Sequence, residues 1–226
     1  MRRHVGDLLV LRDLAAEEYL AILLGIAERS QALGQTPLGD HAAREIGRVL
    51  GSRTEKPKVT YRLVFFDGEE SFCEGWSDCG DAENPDNTYG SRHYVSQLRA
   101  RNELPNTGAM ILLDMIGYTN LELGRDSMST RWLQDIIWQT GRELGHTKVF
   151  VDREEGVGGD DHEPFLQAGV DAVDIIQLNS YPHWHKADDT IDKVSAQSMK
   201  IVGDTVLASL PKIIEHVTRH EKAKKS

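Results

Sequence analysis

The stretch VFFDGEE, residues 64–70, joins an apolar, β-branched and aromatic run to a glycine and two adjacent carboxylates, Glu69 and Glu70. Such a run is typical of a buried strand, and open α/β sheets place their chemistry at the carboxyl ends of their strands. Adjacent side chains point in different directions, so one carboxylate can bind a metal while the other moves protons. A strand that ends in a solvated acidic turn is the alternative interpretation.

The composition fits one globular domain. The chain has 226 residues, of which 39% are hydrophobic and 27% are charged, and its net charge is −10. We expect a single domain over residues 1–226 with a basic tail at 219–226. An acidic surface disfavours nucleic acid and anionic membranes as partners, and no apolar run of the sequence is long enough to span a bilayer.

Strand and helix patterns alternate along the chain. Apolar runs and helical spacing predict strands at 59–66, 109–114, 147–151 and 170–176, and helices at 15–33, 39–50, 91–102, 130–144, 161–167 and 195–214. This alternation indicates an α/β sandwich with a largely parallel sheet. The loop at 73–88 is long enough to be functional. Its two cysteines, Cys73 and Cys79, could pair, but we expect two free thiols.

Polar and aromatic side chains follow the predicted strands. The residues at these strand ends are Glu69, Glu70, Asp114, Tyr181, Trp184 and His185. Zinc binds histidine nitrogen and carboxylate oxygen, and catalytic sites keep an open position beside three protein ligands. One of the two glutamates and His185 can therefore supply two ligands, and a third is needed.

Two other features allow a structural and a functional interpretation. Asp160 and Asp161 open a predicted helix, where carboxylates often only cap the N-terminus. Trp76 lies in the long loop, where a tryptophan is commonly an anchor packed on the core. If Trp76 faces the same pocket as Trp184, the site is a narrow, aromatic-lined cleft for a small side chain.

Five motifs, in this order, resemble those of the glutaminyl-peptide cyclotransferases, which belong to the wider group of zinc aminopeptidases. They are FFDGEE (65–70), YGSRH (89–93), LLDMIG (112–117), DDHEPF (160–165) and WH (184–185). The resemblance extends from about residue 58 to residue 215. It implies a three-layer α/β sandwich, in which helices flank a central, mostly parallel mixed β-sheet.

The resemblance also implies roles for individual residues. The catalytic group consists of Glu69 as the general acid/base, with Asp114 and Asp160 as hydrogen-bonding partners in the site. The zinc ligands are Glu70 and His185. The aromatic wall around the substrate consists of Trp76, Tyr181 and Trp184.

Two positions depart from the cyclase pattern. Vertebrate-type cyclases have a histidine where this chain has Asp174, as the aminopeptidases often do. The family also places a zinc-binding aspartate just before the helix that leads into the 59–66 strand. If residues 21–27 belong to that helix, Ala15 occupies this position, and Asp13 is the candidate ligand nearby. The family's upstream strands and His-x-Asp ligand are absent from the sequence, so we expect the N-terminal part of the fold to be missing.

The resemblance implies a Zn²⁺-dependent enzyme that acts on the N-terminus of a peptide or protein. A cyclase converts N-terminal glutamine to pyroglutamate and releases ammonia, whereas an aminopeptidase hydrolyses the N-terminal residue. A non-catalytic remnant without zinc is a third interpretation, because the third ligand is not evident. Relatives are generally exported, so we expect a periplasmic or secreted location, although the sequence shows no signal peptide.

Overall fold

The computed structural model describes residues 21–27, 38–55, 57–76, 78–81 and 83–224. The strands are β1 (Ala21–Ala27), β2 (Thr60–Phe66), β3 (Thr107–Leu113), β4 (Leu123–Asp126), β5 (Phe150–Glu155) and β6 (Ala172–Ile175). The helices are α1 (Leu38–Gly51), α2 (Tyr89–Ala100), α3 (Arg131–Glu143), α4 (Glu163–Gln167) and α5 (Ala196–Lys224). Short 3-10 turns lie at Leu104–Asn106 and Ile191–Lys193.

The main sheet has the strand order β2-β1-β3-β6, and all of these neighbouring strands are parallel. Strands β4 and β5 form a separate parallel pair. The α/β fold with parallel strands flanked by helices is thereby confirmed. Because parallel strands end at the same edge of a sheet, the loops after β2, β3 and β6 meet there.

Alternating side chains of the strands supply two apolar layers, one on each face of the sheet. Leu63 and Phe65 of β2 pack in the larger layer with buried residues of α1, α3 and α5. Val64 and Phe66 point to the opposite face and pack with buried residues of α2 and α4. These layers make the three-layer sandwich that the resemblance implies.

Strand β1 corrects a prediction, since residues 21–27 were expected to be helical. Its backbone pairs with β2 on one side and with β3 on the other, which places it inside the sheet. A continuous run of seven apolar or small residues suits a strand in a parallel sheet, and helical spacing cannot exclude this over so short a stretch. The helix that leads into β2 is instead α1, which was predicted at 39–50. Asp13 was selected by placing residues 21–27 in that helix, so its selection rested on the wrong element.

Two other elements differ from the prediction. Strand β4, with the sequence LGRD, was not predicted because four residues with mixed polarity carry no clear period. Helix α5 extends ten residues beyond the predicted end at 214 and includes the predicted basic tail up to Lys224. None of the helices in the described parts of the chain combines the length and apolar character needed to cross a membrane.

Candidate active site

The turn after β2 holds the acidic pair against the start of α2. The amides of Thr88, Tyr89 and Gly90 donate hydrogen bonds of 2.8, 2.9 and 2.9 Å to the carbonyls of residues 69, 68 and 67. Glu69 is buried in this arrangement, whereas Glu70 is partly exposed. The two neighbouring carboxylates therefore occupy different environments, as the direction of adjacent side chains predicts.

Gly90 permits the close approach of α2 to this turn. A Cβ atom at position 90 would lie 2.4 Å from the carbonyl oxygen and 2.7 Å from the amide nitrogen of Asp67. Because these are backbone atoms, we expect Gly90→Ala to lower the free energy of unfolding by about 1–3 kcal/mol. Gly156→Ala is the matched control, since a Cβ atom there meets no atom within 4 Å. Equal denaturation midpoints for the two variants would contradict this expectation.

Buried carboxyl groups from four chain segments interact electrostatically at this edge of the sheet. They are Glu69 after β2, Asp114 after β3, Asp160 and Asp161 before α4, and Asp174 in β6. Burial, together with the charges of Asp160 and Asp114, raises the pKa of Glu69 to about 10. Neighbouring carboxyl groups in an apolar interior rarely all ionise, so this carboxyl cluster stores protons at neutral pH.

Asp160 and Asp174 are two fully buried members of this cluster. Burial and the charge of Asp114 raise the pKa of Asp160 to about 7, and burial and the charge of Asp160 raise the pKa of Asp174 well above its usual value. Both side-chain oxygens of Asp174 are buried, and neither has a hydrogen-bond partner in the described part of the chain. Each of these two carboxyl groups therefore favours its neutral form more than an exposed aspartate does.

Neither Asp160 nor Asp161 caps α4 with its side chain. The N-cap residue is His162, and it makes no side-chain capping bond. Asp160 Oδ1 accepts the amide hydrogen of Asp161 at 2.6 Å, and Asp161 Oδ1 accepts the hydroxyl hydrogen of Ser91 at 2.5 Å. The capping interpretation is therefore not supported, and both side chains belong to the carboxyl cluster.

Glu70 and His185 come together across the loops after β2 and β6. Glu70 Oε1 lies 3.3 Å from His185 Nε2. Two ligand atoms that are each about 2.0–2.1 Å from a tetrahedral zinc ion lie about 3.3 Å apart. This pair therefore fits two of the three ligands of a catalytic zinc site, in both chemistry and spacing. Asp13, the predicted third ligand, lies outside the described residues.

The loop that carries His185 has a constrained shape. His185 has a φ of 55°, which is uncommon for a residue other than glycine, and the Trp184 ring stacks on it at 4.2 Å. The hydroxyl of Tyr181 donates to Asp189, and the Tyr181 ring lies 4.9 Å from that of Tyr118. Strained backbone of this kind persists where surrounding contacts hold it, and it is often found at functional sites.

The loop after Glu70 is closed by a disulfide bond between Cys73 and Cys79. The expectation of two free thiols is therefore wrong, because the spacing of two cysteines does not reveal whether their loop folds back on itself. Asp86 further fixes this loop, since its Oδ2 accepts the Phe72 amide hydrogen at 2.9 Å and the Ser71 hydroxyl hydrogen at 3.2 Å.

Trp76 lies inside the disulfide-closed loop and next to the carboxyl cluster. Its carbonyl accepts a hydrogen bond of 2.9 Å from Asn87 Nδ2. A Cβ atom on Gly159 would lie 2.6 Å from the indole Nε1, so only glycine leaves room for the ring at this position. Because Gly159 directly precedes Asp160, Trp76 flanks the cluster as well as anchoring the loop.

The structure thus brings together Glu69, Asp114 and Asp160, and separately pairs Glu70 with His185. Two buried residues that sequence reasoning did not select also lie here, His162 and Asp126. His162 is part of the DDHEPF motif and could have been considered from that signal. Asp126 ends β4, and without that strand the sequence offered no reason to select it.

These features can be compared with known proteins. The model of peptidase family M28 matches residues 39–210, which is most of the chain. The chain belongs to this family. The family is zinc-dependent, which agrees with the donor atoms that Glu70 and His185 offer.

The names of similar proteins include two different activities. The glutaminyl-peptide cyclotransferase of Bos taurus is 34% identical over 154 residues, which are 59% of this chain and 41% of the relative. Aminopeptidase YwaD of Bacillus subtilis (strain 168) is 28% identical over 142 residues, which are 60% of this chain and 30% of the relative. The chain thus covers less than half the length of these curated relatives.

A solved structure supports the same grouping. The glutaminyl cyclase of an Acidobacteriales bacterium superposes with a TM-score of 0.75 at 30% sequence identity, and the match covers 89% of this chain and 71% of that one. This M28 member therefore resembles the glutaminyl cyclases in both sequence and fold.

Proposed function

We propose that this M28 member is a zinc-dependent enzyme that cyclises the N-terminal glutamine of a peptide or protein to pyroglutamate and releases ammonia. The observation that carries the proposal is the buried carboxyl cluster around Glu69, Asp114 and Asp160, directly beside the Glu70–His185 pair. The similarity to glutaminyl cyclases supports it.

The reaction requires one proton to move between two nitrogens. Zinc held by Glu70 and His185 would supply a Lewis acid for the side-chain amide carbonyl and a positive charge that favours ionised Glu69. Glu69 takes a proton from the α-amine as its nitrogen forms a bond to the amide carbon. It then returns the proton to the amide nitrogen as that carbon–nitrogen bond breaks and ammonia leaves.

The other carboxyl groups and the aromatic side chains hold the substrate. Asp114 and Asp160 hold the leaving amide and share a proton, which lets them act as both donor and acceptor. Trp76 flanks this position from the disulfide-closed loop, and Trp184 offers a partly exposed ring on the opposite loop. With Tyr181, they form a wall suited to a small N-terminal side chain.

An aminopeptidase is the second candidate, and Asp174 favours it. The cyclase pattern has a histidine at this position, whereas aminopeptidases often have an aspartate, and the relative from Bacillus subtilis is named as an aminopeptidase. In this reaction Glu69 removes a proton from a water molecule as its oxygen forms a bond to the carbonyl carbon of the first peptide bond. It then returns the proton to the peptide nitrogen as the carbon–nitrogen bond breaks and the shortened peptide leaves.

Two matched peptides separate these functions. A peptide with N-terminal glutamine is incubated with the zinc-loaded protein, and ammonia and free amino acids are both measured. We expect ammonia release without loss of the N-terminal residue. A peptide with N-terminal leucine serves as the control, and release of free leucine would instead establish the aminopeptidase. If the protein releases neither ammonia nor a free amino acid and binds no zinc, it is a non-catalytic remnant.

Zinc binding through Glu70 has a consequence for stability. A ligand at 100 times its dissociation constant stabilises the folded state by about 2.7 kcal/mol, so zinc should raise the melting temperature of the wild-type protein. We expect Glu70→Ala to remove most of this rise. Glu74→Ala is the control, because Glu74 is exposed on the neighbouring loop. A zinc-dependent rise that persists in Glu70→Ala would exclude Glu70 as a ligand.

We also propose an exported location. The Cys73–Cys79 disulfide supports it, because disulfides form and persist mainly in oxidising compartments such as the periplasm and the extracellular space. Thiol titration of the protein, unfolded directly from its native compartment, checks this. Two reactive thiols per chain would contradict an oxidising location.

A further inference from the structure

Glu155, the last residue of β5, is a buried carboxyl group that the proposed mechanism does not use. Only 1% of its side chain is exposed, and it is not a member of the carboxyl cluster defined above. Withdrawing a carboxyl group from water costs free energy unless polar partners compensate it. The partners of Glu155 should therefore show what this group does.

The two oxygens of this carboxyl group contact different parts of the chain. Oε1 accepts the main-chain amide hydrogen of Asn179 at 2.7 Å. Oε2 accepts a longer bond of 3.5 Å from Arg153 Nη2, and the Nη1 atom of the same arginine is paired with Glu122. The short bond therefore joins the end of β5 to the loop after β6, whereas the arginine contact stays beside the β4–β5 pair.

Neighbouring residues fix the position of the Glu155 carboxyl group. A Cβ atom at Gly124 of β4 would lie 2.5 Å from Glu155 Oε2, so the glycine leaves the room that this side chain needs. On the other side, Asn179 Nδ2 donates a bond of 3.3 Å to the carbonyl of Gly156. Two bonds from one loop residue to two successive residues define the direction of the loop as well as its distance from β5.

The anchored loop carries residues of the candidate site. Asn179 lies two residues before Tyr181 and six residues before His185. Turns brace the loop from inside, since the Tyr181 amide donates a bond of 3.1 Å to the carbonyl three residues earlier, and the Lys186 amide donates a bond of 3.0 Å to the carbonyl of His183. Because these turns hold the shape of the loop, a displacement of Asn179 would also displace His185.

The same junction leads to the carboxyl cluster. Residues 156–159 connect Glu155 to Asp160, and Gly159 faces the indole of Trp76. The bond between Glu155 and Asn179 therefore joins the segment that carries Asp160 to the loop that carries the histidine of the Glu70–His185 pair. Two parts of the site share this point of attachment.

We propose that Glu155 is a positioning residue that holds the loop after β6 and thereby sets the distance between His185 and Glu70. Glu70 follows the turn after β2, which has its own main-chain bonds to the start of α2, so His185 is the member of the pair that depends on the loop. This inference rests on the proposed function for the zinc-binding role of the pair. The anchoring itself depends only on the contacts of Glu155.

Amide hydrogen exchange tests the anchoring in the metal-free, full-length protein. Glu155→Met keeps the length of the side chain but removes the acceptor of the Asn179 amide hydrogen. The amides of Tyr181 and Lys186 bond within the loop and not to Glu155. We expect both to exchange about fivefold faster, because a loop that lacks this hydrogen bond opens more often. Unchanged exchange at both amides would overturn the inference.

Zinc affinity tests the consequence for the metal ligands, with competition against a chromophoric chelator as the measurement. We expect Glu155→Met to raise the Kd for zinc about tenfold, the lower end of the effect of groups that orient metal ligands. Glu155→Gln should keep the wild-type Kd, since its amide oxygen can still accept the Asn179 amide hydrogen. Equal Kd values for these two variants would contradict the inference. If Glu155→Met does not fold, Gly124→Ala replaces it, because the added Cβ atom displaces the Glu155 carboxyl group.

Trp138→Phe is the control for a purely structural effect. The indole of Trp138 donates bonds of 3.3 and 3.1 Å to the carbonyls of Leu123 in β4 and Val151 in β5, and phenylalanine cannot make them. We expect this variant to lower the melting temperature without changing the Kd for zinc. A rise in Kd equal to that of Glu155→Met would mean that lost stability alone weakens zinc binding, and it would overturn the inference. If the wild-type protein binds no zinc, the proposed function fails, and the exchange experiment still decides whether Glu155 holds the loop.

Discussion

Glu69→Gln is expected to lower kcat/KM for the reaction at peptide N-termini by about 10²–10⁴-fold, the usual contribution of a general acid/base. Glutamine retains the size of Glu69 and most of its hydrogen-bonding capacity, but it cannot accept a proton. The expectation holds for cyclisation and for hydrolysis, because both need Glu69 to remove a proton from the nucleophile. Steady-state rates with the zinc-loaded variant provide the measurement.

The controls must distinguish a variant that cannot transfer a proton from a variant that no longer binds zinc. Asp67→Asn changes an exposed carboxylate two residues earlier in the same turn, so it should leave kcat/KM nearly unchanged. Glu69→Gln should still bind zinc, because Glu70 and His185 remain in place, whereas Glu70→Ala should lose both zinc and activity. Activity close to the wild-type value in zinc-loaded Glu69→Gln would remove Glu69 from the mechanism.

The fold was predictable from the sequence wherever local patterns determine it. Strand β2 and helix α1 lie close to their predicted bounds, because a bounded apolar run and helical spacing are local signals. Strand β1 could not be predicted in this way. Its seven residues fit a short buried helix as well as a strand, and pairing with β2 and β3, distant in sequence, decides between them.

The residues of the site were also predictable where the signal is local and not where it depends on contacts between distant segments. Glu69 and Glu70 were identified from one continuous motif. The contact of Glu70 with His185 joins residues 115 positions apart. Zinc chemistry at the strand ends suggested His185 together with one of the two glutamates, and the resemblance to a family selected Glu70. The contact of His162 with Asp126 was missed, because it depends on β4. Buried polar contacts between distant segments leave no periodic signal, so neither spacing nor composition can reveal them.

Asp160→Asn is expected to stabilise the metal-free protein at neutral and alkaline pH, although it removes a site residue. The folded state raises the pKa of Asp160 from 3.8 to about 7, so it holds this proton more tightly than the unfolded chain does. The resulting stability is present below pH ~4 and is lost as the pH rises through about 7. The difference between a pKa of 3.8 and one of about 7 corresponds to a loss on the order of 4 kcal/mol in the free energy of unfolding.

Asparagine should avoid this loss, because it carries no charge and its amide oxygen can still accept the bond from the Asp161 amide. Denaturant unfolding at pH 5 and pH 8, with a chelator present, measures the difference. Asp204→Asn, an exposed residue on α5, should follow the pH dependence of the wild-type protein. If Asp160→Asn loses as much stability as the wild-type protein between these two values, the carboxyl cluster does not store a proton at Asp160. If Asp160→Asn loses less stability than the wild-type protein, the metal-free folded protein keeps the Asp160 carboxyl at a cost in stability. Bound zinc would offset this cost, since a nearby cation favours ionised carboxylates.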